Sequence, residues 1–292
     1  MGTSVGIATC AQLPHGDEDF VLLADHLRTL GVTPISVIWD QPAPPATVDL
    51  MVIRSTWDYT EHLGAFLEWA GSLARVENPT SVIRWNTDKR YLDDLATASI
   101  PTIPTTYACS GEDLVVPASE RFVVKPTVGA GSKGALLLDA GEIERARAHV
   151  DGLSALNKVS MIQPYLAEVE ERGETGVILI DGRPAHAIEK GPMLVADAVD
   201  DDTGLSLLES IRLREATPAE LDLAIATHAA ACAHLGLNAP LLYSRVDLLP
   251  GPDGPTVIEF EATEPSLFLR LAPTTAALLA EAIARRLNER SA

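Results

Sequence analysis

An α/β fold follows from three features of the 292-residue chain. Short apolar runs alternate with amphipathic helical stretches through its first quarter, which is the pattern of a largely parallel sheet covered by helices. Turn-forming residues then separate paired strand-like runs, and a long helical period closes the chain. At roughly 100–200 residues per domain, two or three structural units are expected.

In order, residues 4–10 read as a short buried strand. Residues 17–31 repeat apolar side chains at Phe20, Leu23, Leu27 and Leu30, a helical period stopped by Gly31. Residues 34–39 and 49–53 are further strands, and 61–74 an amphipathic helix. The stretch Arg54-Ser55-Thr56-Trp57-Asp58-Tyr59 follows a strand, and open α/β sheets bind ligands at the carboxyl ends of their strands. Arg54 and Ser55 are therefore candidate substrate contacts, Arg54 as a carboxylate clamp. The competing reading is a capped turn with Trp57 as a core anchor. Asn86 or Thr87 caps a short helix with Leu92, Leu95 and Ala96 inside, and Lys89 projects from its first turn. Taken alone, Lys89 reads as a surface lysine.

Residues 121–139 carry a strand, then Gly129, Gly131 and Gly134 in G-x-G-x-x-G spacing, then a second apolar run. A dinucleotide fingerprint requires that loop to open a helix. Here a returning strand follows, so the loop reads as a flap whose backbone N–H groups cover phosphates, with Ser132 in it and Lys125 facing the same phosphates. A plain glycine hairpin is the simpler alternative. Residues 159–166 form a strand ending in Gln163-Pro164-Tyr165-Leu166, where a proline without N–H leaves neighbouring backbone groups for a ligand. Asp181-Gly182 between apolar runs marks a hairpin whose second strand ends at Lys190. The acidic run 197–202 reads as a solvated loop. Thr217-Pro218-Ala219-Glu220 opens a helix with a capping box, and its apolar period runs through Leu221, Ile225, His228 and Cys232. His228 and His234 lack H-E-x-x-H spacing and read as structural or surface residues. A last helix spans 273–290.

Residues 243–265 hold the densest chemistry. Arg245 and Asp247 share one face of a strand, Glu259 and Glu261 one face of the next, and a Pro/Gly-rich turn joins the two. Paired as a hairpin, they bring three carboxylates and a guanidinium together. Such a set suits a hard divalent cation such as magnesium, which in turn brings phosphates. A solvated hairpin face with surface ion pairs is the competing reading.

Composition limits the partners. With 41 acidic and 22 basic residues the formal charge is -19, a field that repels nucleic acid and anionic membranes. No apolar run of about 18 residues occurs, so no membrane span is expected. The first residues lack a basic leader with an apolar core, which predicts a cytoplasmic protein. Cys10, Cys109 and Cys232 are widely spaced, neither a zinc set nor a disulfide framework, and read as buried inert thiols.

The order Lys89, Lys125 with its glycine flap, then R-V-D and E-F-E resembles the ATP-grasp superfamily of carboxylate–amine ligases over about residues 86–270. The resemblance implies an ATP-grasp fold, α+β in its nucleotide-binding part, behind a Rossmann-like α/β domain. The units would be residues 1–86, a central 87–165 with the flap, and 166–292 with the metal hairpin. It implies ATP and two Mg2+ ions as cofactors. Lys89 and Lys125 would contact phosphates under Gly129, Gly131, Ser132 and Gly134. Gln163, Tyr165 and Leu166 would form the adenine hinge, and Glu174 would bind ribose. Asp247, Glu259 and Glu261 would hold metal, although many members carry asparagine at the place of Glu261. Arg245 would steady the transferred phosphoryl group, with Lys190 a further phosphate contact. Glu264 and Ser266 join Arg54 and Ser55 as amino-acid contacts. The segments I-R-S-T-W-D-Y, H-A-I-E-K-G-P and E-F-E-A-T-E-P-S-L-F-L narrow the resemblance to a subgroup of cyclo-ligases that form D-cycloserine from O-ureido-D-serine. An intermolecular amino-acid or peptide ligase, a silent ATP-binding protein and a Rossmann oxidoreductase are the alternatives; assembly into a homo-oligomer stays open.

Overall fold

The computed structural model describes residues 3–41, 48–131, 133–191 and 211–289. Ser132, the acidic run 197–202 and the predicted helix end at residue 290 lie outside these.

Three sheets follow one another along the chain. The first is parallel, in the order β2-β1-β3-β4, from β1 (Ser4–Thr9), β2 (Thr33–Ile38), β3 (Leu50–Ser55) and β4 (Val76–Glu77). α1 (Phe20–Thr29) connects β1 to β2, and α2 (Leu63–Ser72) lies between β3 and β4. Both faces of β1 and β3 are covered, which is why these strands read as continuous apolar runs. In α1 the buried residues are Leu23, Ala24 and Leu27, whereas Leu30, counted into the inner stripe from its spacing, is exposed at the helix end.

α3 (Thr80–Asn86) and α4 (Tyr91–Thr97) lead into the second sheet. Neither Asn86 nor Thr87 is the N-cap of the following helix: Asn86 is the last residue of α3 and Thr87 its C-cap, Arg90 precedes α4, and Asn86 spends its side chain on the backbone of residues 260–263. Tyr91 takes the inner position expected of Ala96, which is exposed. The second sheet, antiparallel in the order β5-β8-β6-β7, comprises β5 (Thr106–Ala108), β6 (Arg121–Pro126), β7 (Leu136–Asp139) and β8 (Ser160–Pro164), with α5 (Ile143–Ala155) against it. The glycine loop thus joins two antiparallel strands and opens no helix, which removes the dinucleotide reading.

After the single turn α6 (Val169–Arg172), the third sheet runs β11-β10-β9-β12-β13, all antiparallel: β9 (Glu174–Ile180), β10 (Arg183–Lys190), β11 (Arg212–Arg214), β12 (Tyr243–Gly251) and β13 (Gly254–Glu261). The β9–β10 turn places Asp181 at φ 47° and Gly182 at φ 71°, the two left-handed positions an Asp-Gly hairpin turn needs. Alternation along β9 sends Val177 and Leu179 to one face, under α7 (Pro218–His234), and Ile178 and Ile180 to the other, under α8 (Pro273–Asn288).

α7 begins with the predicted capping box, the Thr217 hydroxyl and Glu220 carboxylate each accepting from the other's backbone N–H. Its inner stripe differs from the predicted one: Leu223, Ala224, Thr227, His228 and Ala231 are buried, and Ile225 faces solvent. An alanine-rich helix offers several apolar stripes of similar width, and packing on β12 and β13 selects one. His228 is structural: its Nδ1 meets the Ser244 hydroxyl at 2.9 Å, and burial pulls its pKa down to about 4. Among the cysteines only Cys10 is buried; Cys109 and Cys232 are half-buried, and all three are free. No helix among the described residues is long and apolar enough to cross a membrane.

α8 packs on α1 and β9, so one core joins Leu23, Leu27, Val5 and Val52 of the first unit to Ile178, Tyr243, Leu279 and Ile283. Ile283→Ala, at a fully buried position in that core, is expected to lower unfolding free energy by about 2–5 kcal/mol, read by urea denaturation. Circular dichroism and a probe in the first sheet should report one shared shift.

Candidate active site

The β12–β13 hairpin pairs Arg245 with Glu261 and Asp247 with Glu259, and the register shifts just after Asp247. That register turns Asp247, Glu259 and Glu261 to one spot, where an oxygen from each lies within 4.8 Å of the others. Arg245 bridges two of them, donating from Nε and Nη2 to the two Asp247 oxygens at 2.8 Å each, and from Nη2 to Glu261 Oε1 at 2.5 Å. Lys190, at the end of β10, donates from Nζ to Asp247 Oδ2 at 2.8 Å and to Glu174 Oε1 at 2.6 Å. Asp247, Arg245 and Lys190 are all buried.

Gly176, a residue without special signal in the sequence beyond being a glycine inside a strand, makes this packing possible. It pairs with Asp247, and a Cβ there would stand 3.0 Å from Asp247 Oδ1 and Ile188 Cδ1.

Two lysines approach from the other side. Lys89 donates to the Gly129 carbonyl at 2.6 Å and lies 3.1 Å from Glu259 Oε1. Lys125, on β6 and paired through its backbone with Met161 of β8, makes no side-chain hydrogen bond or ion pair among the described residues. The electrostatics follow this division. Burial pulls the Lys89 ammonium down, but Glu259, Glu261 and Glu264 hold it above its ordinary value. For Lys125, burial, with Lys89 and Lys190 repelling it, outweighs Glu259 and Glu174, and its pKa is lowered. Burial opposes ionisation of every acid here. It is overcome at Asp247 by Arg245 and Lys190 and at Glu259 by Lys89 and Lys125, so both stay low. It prevails at Glu261, raised to about 7 despite Arg245, and at Glu264, raised to about 8 with Glu261 adding to the rise.

The flap between β6 and β7 holds Gly131 at φ 60° and Gly134 at φ 75°, which favour glycine, and a Cβ on Gly129 would come within 3.2 Å of Pro126. Val128 packs on the aromatic core of the first unit and Lys133 pairs with Glu61 at 2.7 Å, so the flap rests on that unit.

Several expected contacts stand differently. Gln163 is buried and donates to the Thr105 hydroxyl at 2.9 Å, so its side chain is a strut of the second sheet. Tyr165 gives its N–H to the Arg121 carbonyl and stacks its ring under the Arg121 guanidinium at 4.4 Å; the Leu166 carbonyl accepts from Val169. Glu174 is held by Lys190. Arg54 and Ser55 are not on an open rim, because β3 continues through both: Ser55 is fully buried against the Thr9 hydroxyl at 2.9 Å, and Arg54 is 2% exposed, donating to the Pro265 carbonyl at 2.8 Å. Glu264 and Ser266 are half-buried beside the hairpin end, Glu264 hydrogen-bonded by Tyr59. The sequence reading missed Asn78, Asn86 and Gly176. Of these only Asn86 carried a signal, and its polarity was assigned to a helix cap.

Residues 5–79 match a family model described as the N-terminal domain of the D-cycloserine synthetase DcsG. Over 302 aligned residues the chain is 36% identical to the cycloserine biosynthesis protein DcsG of Streptomyces lavendulae, covering 99% of this chain and 100% of that one. The crystal structure of D-cycloserine synthetase DcsG superposes with a TM-score of 0.87 at 34% identity, covering 97% of this chain and 99% of the other. The ATP-grasp ligase PsnB, solved with minimal precursor, Mg and ADP, shares the fold at a TM-score of 0.61 and 17% identity, covering 97% of each chain. The chain therefore belongs to the DcsG family, on the ATP-grasp fold.

Proposed function

We propose that the chain is an ATP-dependent C–N ligase that activates the carboxylate of an amino acid as an acyl phosphate and closes a ring by attack of a nitrogen in the same molecule, giving D-cycloserine from O-ureido-D-serine. The observation that carries this is the meeting of three carboxylates within 4.8 Å near Lys125, a lysine whose ammonium has no hydrogen bond or ion pair among the described residues. Membership of the DcsG family, with near-complete coverage of both chains, supports the substrate.

The residues present fit both ligands. An unpartnered ammonium near Lys89 suits a polyphosphate. Clustered carboxylate oxygens suit magnesium, and two ions accord with three acids. Asp247, Glu259 and Glu261 would hold the metal, which when bound supplies charge neutralisation at the phosphate oxygens. Lys125 and Lys89 bind and orient the phosphates, with the flap N–H groups above them. The hinge contributes backbone groups near Tyr165 and Leu166, since Gln163 is occupied elsewhere. Arg245, fixed by Asp247 and Glu261, faces the charge that develops as the phosphoryl group moves to the substrate carboxylate. The nitrogen bonded to the substrate's side-chain oxygen then attacks the acyl carbon and phosphate leaves; a water adds to the ureido carbonyl and breaks its bond to that nitrogen, which takes up a proton, and carbamic acid departs to give carbon dioxide and ammonia. Proximity within one molecule favours ring closure. Glu264 and Ser266 are the amino-acid contacts nearest this point.

Incubation with MgATP and a panel of D- and L-amino acids should release ADP most rapidly with O-ureido-D-serine, with mass analysis giving the five-membered ring; a linear product or ADP release with other amino acids alone would refute the cyclo-ligase. Glu259→Gln is expected to reduce ADP release by roughly 100-fold or more, since even residues behind a metal ligand contribute 10–100-fold; near-normal release would remove the hairpin from the metal site. Glu261 and Glu264 have folded pKa values above the usual 4.5, so in the folded state they bind protons that the unfolded chain has released. Their contribution to stability is full below about pH 4.5 and is lost as pH rises through about 7 to 8. Thermal unfolding of metal-free protein should therefore fall in midpoint between pH 5.5 and 8, and Mg2+ should raise the midpoint more at pH 8 than at pH 6.

A further inference from the structure

Directly after the hairpin, five consecutive backbone carbonyls are each held by a different side chain. Ala262 O accepts from Asn78 Nδ2 at 2.7 Å, Thr263 O from the Tyr243 hydroxyl at 3.0 Å and Glu264 O from Trp57 Nε1 at 3.1 Å. Pro265 O accepts from Arg54 Nη1 at 2.8 Å and Ser266 O from Arg245 Nη1 at 3.0 Å. β13 ends at Glu261, so no strand ladder fixes this stretch. Side chains do so instead, all buried except the half-buried Trp57, and three of the five donors, Arg54, Trp57 and Asn78, belong to the first unit.

Arg54 is built for this task. Its charge is answered within the fold by Asp17 at 3.7 Å and Asp19 at 3.9 Å, and its guanidinium lies over the Tyr243 ring at 5.6 Å. Tyr243 in turn donates to the Ile53 carbonyl next to Arg54 at 2.5 Å. From the other side Asn86 Oδ1 accepts from the Ala262 and Thr263 N–H groups at 2.7 and 3.0 Å. Backbone freedom on both sides of Glu264 is thereby removed.

We propose that Arg54 and Trp57 are positioning residues, which grip the carbonyls of residues 264 and 265 so that Glu264 and Ser266 stand at a fixed place beside the metal hairpin. The first unit then acts on the amino acid through the backbone of 262–266. This rests on the proposed role of Glu264 and Ser266 as substrate contacts.

Trp57→Phe keeps a ring and removes the donor, and Arg54→Lys keeps the charge and removes the fork. Hydrogen–deuterium exchange should quicken over residues 262–268 in both variants, with residues 245–251 unchanged. Trp57→Phe should lower kcat/KM for O-ureido-D-serine by about tenfold, the scale of one hydrogen bond, with KM for ATP unchanged. Combined with Glu264→Gln it should be no slower than Glu264→Gln alone. Unchanged exchange in both variants, multiplicative losses in the double variant, or an equal shift in KM for ATP would overturn the proposal. A wild-type chain that releases no ADP with this amino acid would refute the proposed reaction instead, while the exchange measurement still decides the grip.

Discussion

The buried ion network of Arg245, Asp247 and Lys190 is the constraint on which the third sheet is built. Charges with so little exposure are costly unless each is paired and hydrogen-bonded, and removing one partner leaves the other uncompensated. Asp247 meets that condition by accepting from Arg245 at both oxygens and from Lys190 at one. Three features of the strands follow from it. Gly176 must lack a side chain so that the Asp247 carboxylate has room. Lys190 must end β10 opposite Glu174, where a second acid shares its charge. The register shift after Asp247 gives β13 one extra residue, so that Val257 pairs with Leu248 on the apolar face and does not share the face of Glu259.

Within that network, the division between paired and unpaired cations has chemical meaning. Arg245 and Lys190 are fixed by acids, and Lys89 is shared between Glu259 and the flap. Lys125 makes no side-chain hydrogen bond or ion pair among the described residues, and burial lowers its pKa. A buried ammonium without a partner is disfavoured, a cost that the polyphosphate contact proposed for Lys125 would offset. The acids divide in the same way: neighbouring cations hold the pKa values of Asp247 and Glu259 low, while burial raises Glu261 to about 7 and Glu264 to about 8.

Much of this was legible in the sequence because it depends on local periods. Alternation along two strands with a Pro/Gly turn was enough to place Asp247, Glu259 and Glu261 on one face, and the apolar run after the glycine loop distinguished a flap from a helix-opening turn. Asp181-Gly182 and Thr217-Pro218-Ala219-Glu220 behaved as local backbone chemistry requires. What failed depended on partners distant in the chain. Ser55 looked like a rim residue because the length of β3 is set by pairing with β1, which no local pattern reveals. Asn86 looked like a cap because its true partners lie more than 170 residues away. Ile225 looked buried because several stripes of an alanine-rich helix were equally apolar.

The long-range contacts share a direction. Asn78, Asn86, Trp57 and Arg54 all come from the first unit or the linker after it, and all reach the same backbone between Phe260 and Pro265. A parallel sheet gathers its ligand-facing groups at the carboxyl ends of its strands, and here that end is occupied by another part of the protein. The place where a small molecule would sit in a free-standing α/β domain is filled by the loop that carries Glu264 and Ser266. The substrate role proposed for Glu264 and Ser266 therefore lies one layer outward, at the hairpin's exit. The shared core of α1, α8 and β9 keeps the two layers from moving apart. Buried side chain–backbone bonds suit that purpose better than surface ion pairs, because screening by salt barely touches them and their geometry is fixed by packing.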